Sequence, residues 1–230
     1  GGAQVRVDIG AITNLASSDP SGKFKDPDFK ANITCLGKTI DNVSFTRFPQ
    51  ICPDAPPSDT TGLPRNGADP GDIRQGRLGD CYFLSAISCL ASHPELLRKV
   101  FVHSDPTRGI YVVRFFKNGS WYQIAVDDFF PTSGGGARSR AMFAHTNSNH
   151  QWISVLEKAY AKLHGSYAAI EGGRVDLALM DLTAGAGECI KVSSDSPDVL
   201  DGSLWARLCQ LREEGHLMGA GSPAGSDTEI

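Results

Sequence analysis

At 230 residues, with 40% hydrophobic content and a formal net charge of −4, the chain has enough material for a packed core of one large domain or two small ones. Lys and Arg are scattered along an acidic chain of pI near 5.8, which excludes a nucleic-acid footprint, and the longest apolar runs are far too short for a membrane-spanning helix. Residues 1–30 carry no basic start followed by an apolar run, so no secretory leader is expected. Cysteines 35, 52, 81, 89, 189 and 209 form no C-x-x-C pair and no Cys/His cluster at zinc spacing, the pattern of reduced thiols in a cytoplasmic protein.

From Gly1 to about Asp72 the chain is rich in Pro, Gly, Asp and Ser and has little periodicity. It reads as an extended arm packed across the domain and tied down by Phe24, Phe29, Leu36, Phe45 and Phe48. The sequons at Asn32, Asn42 and Asn118 are of a kind common by chance. From Cys81 the apolar residues Leu84, Ile87, Leu90 and Ala91 recur at helical spacing up to His93-Pro94, predicting a buried helix. Runs 110–116 and 121–127 flank Asn118-Gly119, a strong hairpin signal, and 133–140 (SGGGARSR) reads as a flexible loop.

A second helix follows, with Trp152, Val155, Leu156, Ala159, Tyr160 and Leu163 on one face and Gly165 as its stop. Beyond Gly172-Gly173 come a short helix over 174–182 and another near 201–214 with Leu204, Leu208 and Leu211 on one stripe. GHLMGAGS (215–222) is expected to form the next strand.

The position of Cys81 is chemically suggestive. A thiolate, not a thiol, attacks a carbonyl, and cysteines in the first turn of a helix can reach pKa values of roughly 3.5–7.5 through the free N–H groups there. Gly79 allows close approach, Asp80 is placed to cap the helix, and Gln75 supplies a neutral amide that, with the backbone N–H of Cys81, suits an oxyanion hole. A buried cysteine on an ordinary helix, with Gln75 merely exposed, fits the same residues.

The run QGRLGDCYFLSAISCL (75–90) closely resembles the active-site signature of the calpain family of cysteine proteases, Q-G-x-L-G-D-C followed by an apolar helix. FKDPDF with SFTRFPQIC (24–52), VDDFFPT (126–132), LEKAYAKLHGSYAAIEGG (156–173) and GHLMGAG (215–221) follow in calpain order. The resemblance implies an α+β papain-like cysteine protease fold. Residues 1–60 would form an N-terminal arm, 61–198 the Cys-bearing first subdomain, and 199–230 the start of a β-rich second subdomain. It further implies Cys81 as nucleophile, Gln75 with the Cys81 N–H as oxyanion hole, and Gly172 and Gly173 lining the cleft that takes protein substrates in extended form.

A papain-like enzyme takes its base from a histidine roughly 130–150 residues after the cysteine, and His216 stands 135 positions on. In the calpain pattern, however, the Gly-x-Leu-Met-Gly strand precedes the catalytic His, and neither a Gly-His-Ala nor an Asn-Pro-Trp occurs in 1–230. His216 is therefore expected to be an ordinary residue, and the base to lie past Ile230. The family's calcium site maps to Asp72 and the carbonyls of Arg65 and Gly67, but the position of its Glu ligand, two before Trp152, is His150, with Asn147 and Asn149 as nearby substitutes. The implied function is calcium-dependent limited proteolysis through a thioester acyl-enzyme. An inactive calpain-like scaffold is the alternative, and a transglutaminase-type acyl transferase is disfavoured by Gly-Asp, rather than Gly-Gln, before Cys81.

Overall fold

One four-stranded sheet with helices on both faces organises the chain. The computed structural model describes residues 4–59, 62–134 and 140–221. It begins with β1 (Gln4–Val5), α1 (Ile9–Ser18), β2 (Val43–Arg47), α2 (Phe48–Ile51), β3 (Ile73–Arg74), α3 (Cys81–Ala91) and α4 (Pro94–Val100). The strands β4 (Phe101–Asp105), β5 (Ile110–Lys117), β6 (Ser120–Val126), β7 (Phe129–Ser133), β8 (Arg140–Ala141) and β9 (His145–Thr146) follow. The helices α5 (Trp152–His164), α6 (Val175–Thr183), α7 (Pro197–Leu200) and α8 (Ser203–Glu213) complete it.

The main sheet has the order β1-β6-β5-β4, with β1 parallel to β6 and the other pairs antiparallel. Asn118 and Gly119 turn β5 into β6 with φ of +49° and +78°, the left-handed pair that a two-residue hairpin matching the sheet twist requires. Because side chains alternate across a strand, Tyr111, Val113 and Phe115 of β5 face the main core with α3 and α5, whereas Ile110 and Val112 face Ala16 and Phe24 on the other side. The smaller sheets β2-β7-β8 and β3-β9 flank this core.

Several sequence expectations change. The N-terminal arm is not simply extended, because Asp8 accepts the Ala11 N–H at 3.0 Å and starts α1, whose Ile9 and Ile12 pack on the second face of the sheet. Within the proposed 133–140 loop, Ser133 pairs with Arg140 as the ends of β7 and β8, while 135–139 lie outside the described residues. Residues 216–221 form no strand, since no neighbouring strand among the described residues offers partners for their N–H and C=O groups. They run instead along α3 and α6, where the Cys89 thiol donates to the Met218 carbonyl at 2.9 Å and Gly219 lies against Val175.

Other elements follow the sequence closely. Phe24, Phe29, Leu36 and Phe48 are buried anchors of the arm, and Phe45 packs partly buried against the core. The helix α5 goes further than its expected face, for every residue from Trp152 to Ala161 is buried, Glu157 and Lys158 included. Lys158 donates to Asp127 Oδ1 at 2.5 Å and to the Phe129 carbonyl at 2.6 Å. Lys162 holds both oxygens of Asp26, and Arg47 pairs with Asp128 while donating to the Phe24 carbonyl. These ion pairs stitch the N-terminal arm to α5 and to the turn between β6 and β7. Gly165, at φ +100°, ends α5 as expected.

Candidate active site

Cys81 is the first residue of α3 and is exposed. Its helix is anchored from behind, with Phe83 stacked on Tyr160 of α5 at a centroid distance of 4.0 Å and tilted against Phe115 of β5. The N–H groups of Cys81 and Tyr82, the first two residues of the helix, have no intrahelical acceptor. An exposed thiol is thus set at the positive end of a rigidly seated helix.

The loop ahead of it is tightly built. Gly76 lies against the backbone of Met142 and Phe143, where any Cβ would collide with main-chain atoms, and Arg77 donates its N–H to the Met142 carbonyl at 2.9 Å. Gln75 is exposed, and its side-chain Nε2 donates to the Leu78 carbonyl at 2.7 Å. That bond fixes the amide within the loop and leaves its second N–H for another acceptor.

Gly172 and Gly173 close over the same turn. Gly172 donates its N–H to the Gly79 carbonyl at 2.8 Å and has φ of +72° with open space where a side chain would project. Gly173 lies directly on the ring of Tyr82, which already occupies the place of a Cβ. The two glycines therefore differ in kind, one required by backbone conformation and the other by contact. Tyr82, next to Cys81, carries no signal of its own in the sequence, because its contact is with a segment 91 positions away.

Asp80 departs from its expected role. It occupies the N-cap position, and its carbonyl accepts the Phe83 and Leu84 N–H groups at 2.8 and 3.1 Å, but its side chain makes no cap bond. The carboxyl group turns into the core toward Glu157 of α5. Burial raises the titration of both groups above the ordinary carboxyl range, and Glu157 is raised further by the nearby Asp80 charge.

No hydrogen bond joins Cys81 to a histidine among the described residues. The Nδ1 atoms of His93, His145 and His164 meet the carbonyls of Cys89, Phe143 and Tyr160. His216 is exposed and pairs with Glu214 at 3.4 Å, in keeping with its reading as an ordinary residue.

Arg65, Gly67, Asp72 and His150 gather elsewhere, with Asp69 and Ser148, around one cavity of about 370 Å³ that Cys81 does not line. The Asp72 carboxylate accepts both the backbone N–H of Ser148, at 2.9 Å, and its hydroxyl, and the Asp72 carbonyl accepts the Asn147 N–H. His150 keeps Nδ1 buried without a partner, and burial lowers its titration, which favours the neutral ring. No group of three or more His, Cys, Asp and Glu side chains converges among the described residues. Hard cations of calcium size take six to eight oxygens. With His150 in place of a carboxylate and Asp72 already accepting from Ser148, the side chains at this cavity offer a hard cation fewer oxygen ligands than the resemblance implies.

A family model described as calpain family cysteine protease matches residues 24–230. The chain belongs to the calpain family. It is 45% identical over 166 residues to the calpain-type cysteine protease DEK1 of Arabidopsis thaliana, covering 71% of this chain and 8% of that protein. Against the calpain-type cysteine protease DEK1 of Zea mays it is 47% identical over 161 residues, 69% of this chain and 7% of the relative. With calpain-13 of Rattus norvegicus the figures are 34% over 185 residues, 77% and 27%. The chain thus spans less than a third of the length of each of these relatives. Its mixed helices and sheets fit the α+β core of a calpain protease, and no helix among the described residues is long and apolar enough to cross a membrane.

Proposed function

We propose that this chain carries the nucleophile half of a calpain-type cysteine endopeptidase, with Cys81 as the attacking group. The supporting observation is the exposed Cys81 thiol at the start of a helix seated in the core, beside a Gln75 amide fixed by its own loop. In the reaction, a base takes the Cys81 proton and Sγ bonds to the scissile carbonyl carbon. The oxyanion is held by the Cys81 N–H and the free N–H of Gln75. Collapse breaks the C–N bond and releases the amine with its proton, and water then hydrolyses the thioester.

The base is proposed to come from a further segment, because His216, the histidine at papain-like spacing, is exposed and pairs with Glu214, and the 230 residues alone are then not expected to turn over peptides. Extended protein segments are the proposed substrates, lying along Gly172 and Gly173, both exposed. Calcium is assigned no step, because His150 stands where the resemblance implies a carboxylate ligand. A cytoplasmic setting is proposed from the six free thiols.

The deciding experiment is labelling with iodoacetamide or an epoxysuccinyl probe, read by peptide mass spectrometry. Cys81 should react ahead of Cys35, Cys52 and Cys89, whose thiols burial pushes up. Labelling that is unchanged in Cys81→Ser would remove Cys81 from the reaction.

A further inference from the structure

Two carboxyl groups are buried at the base of Cys81. Asp80 is 0% exposed and Glu157 2%. Both Glu157 oxygens accept the Ala144 N–H, at 3.0 and 3.1 Å. Neither Asp80 oxygen, taken as a carboxylate, meets a donor. Two ionised carboxylates facing each other in an apolar core would lack counter-charge, and Asp80 would lack any hydrogen bond.

Among the described residues, the surroundings supply no free cation. Glu171, in the loop over Gly79, is another anion and is paired with Lys38 at the surface. Tyr167 is neutral and pushed upward by burial, as is Cys35. Asp127 adds a negative charge, and Lys158, the next residue of α5, is committed to it and to the Phe129 carbonyl. A single proton resolves the arrangement. Carried by Glu157, it provides an O–H donor for Asp80 and leaves one Glu157 oxygen for Ala144.

We propose that Asp80 and Glu157 share one proton, and that this carboxyl pair fixes the first turn of α3, making Glu157 a positioning residue for Cys81. The functional part of the proposal rests on Cys81 being the nucleophile, whereas the proton sharing does not. Glu157 ties three segments that must agree for the site to form: α5 itself, the 142–144 strip under Gly76, and the residue that opens the Cys81 helix.

The sign of the linkage is fixed. A folded chain that retains a proton the unfolded chain has released loses stability as pH rises from the ordinary carboxyl range toward the upper titration of the pair. Glu157→Gln offers an amide N–H to Asp80 and a carbonyl to Ala144 with nothing to titrate. Urea unfolding of both chains between about pH 5 and pH 7 should show the ratio of parent to variant unfolding constants rising about tenfold per pH unit. A ratio independent of pH would overturn the shared proton.

Hydrogen exchange reads the positioning. The Phe83 and Leu84 amides, bonded to the Asp80 carbonyl, should lose about tenfold more protection in Glu157→Ala than the amides of the 110–126 hairpin, and Glu157→Gln should restore them. A uniform loss, or none, would overturn it. If Glu157→Ala fails to fold, the Gln comparison still decides the proton and Asp80→Ala serves for the exchange. Neither measurement depends on thiol chemistry, so a failure here is distinct from a failure of Cys81 to label.

Discussion

Gly172→Ala and Gly173→Ala should both destabilise the chain, for reasons that one second mutation separates. At Gly172 the added methyl meets open space but the backbone stands at φ +72°, so the penalty is conformational and about 1–2 kcal/mol. At Gly173 the Cβ lands inside the Tyr82 ring, an overpacking penalty of about 1–3 kcal/mol if the ring shifts. Replacing Tyr82 by Ser opens that space, so Gly173→Ala should become nearly neutral in the Tyr82→Ser background while Gly172→Ala keeps its full penalty. The assay is a double-mutant cycle by urea unfolding, in which coupling of about 1 kcal/mol or more is expected for the 82–173 pair and about zero for 82–172. Additive behaviour at 82–173 would refute contact as the reason for that glycine. Equal coupling at both would refute the division between backbone and packing.

Lys158→Met should cost about 3 kcal/mol, the lower end for breaking a buried ion pair, because Asp127 keeps the N–H groups of Asp26 and Phe129 at 2.7 and 2.9 Å. An unfolding free energy within error of the parent would show the pair to be dispensable. Asp72→Ala removes the tie to Ser148 and should cost about 1–2 kcal/mol, equally with and without about 1 mM calcium. A calcium-dependent rise in the parent's unfolding midpoint that Asp72→Ala abolishes would show that the cavity holds the ion after all.

The parts legible in sequence are those decided by near neighbours. Asn118-Gly119 dictates the hairpin because few other residues adopt two successive left-handed conformations, and the apolar spacing from Leu84 to Ala91 sets the buried face of the Cys81 helix. The helix at Ile9–Ser18 escaped because its apolar stripe is weak, though two signals were present. Asp8 is a capping residue, and the near-continuous apolar run of β5 already required something to cover both faces of the sheet. The strand expected at 215–222, of which 215–221 are described, failed for the opposite reason, since strand-like composition specifies nothing without a partner. Among site residues, Cys81 and Gln75 lie within seven positions of each other and share a motif. The Asp80–Glu157 and Tyr82–Gly173 contacts join segments far apart in sequence, where adjacent Glu157-Lys158 looks like a solvated charged turn of helix.

The turning inward of Asp80 has a consequence for the chemistry proposed at Cys81. A carboxylate capping the Tyr82 or Phe83 N–H across the first turn of α3 would set a fixed negative charge beside the one that develops on the oxyanion. With the side chain drawn toward Glu157 and no cap bond formed, that charge is kept off the first turn. The helix still needs a reason not to fray, and burial of Phe83 against Tyr160 together with the Asp80 carbonyl bonds to Phe83 and Leu84 supplies it from the core side. Stability at this helix end is therefore provided by groups facing away from substrate. The face toward substrate keeps unsatisfied donors, the condition under which they gain most when charge appears on the carbonyl oxygen.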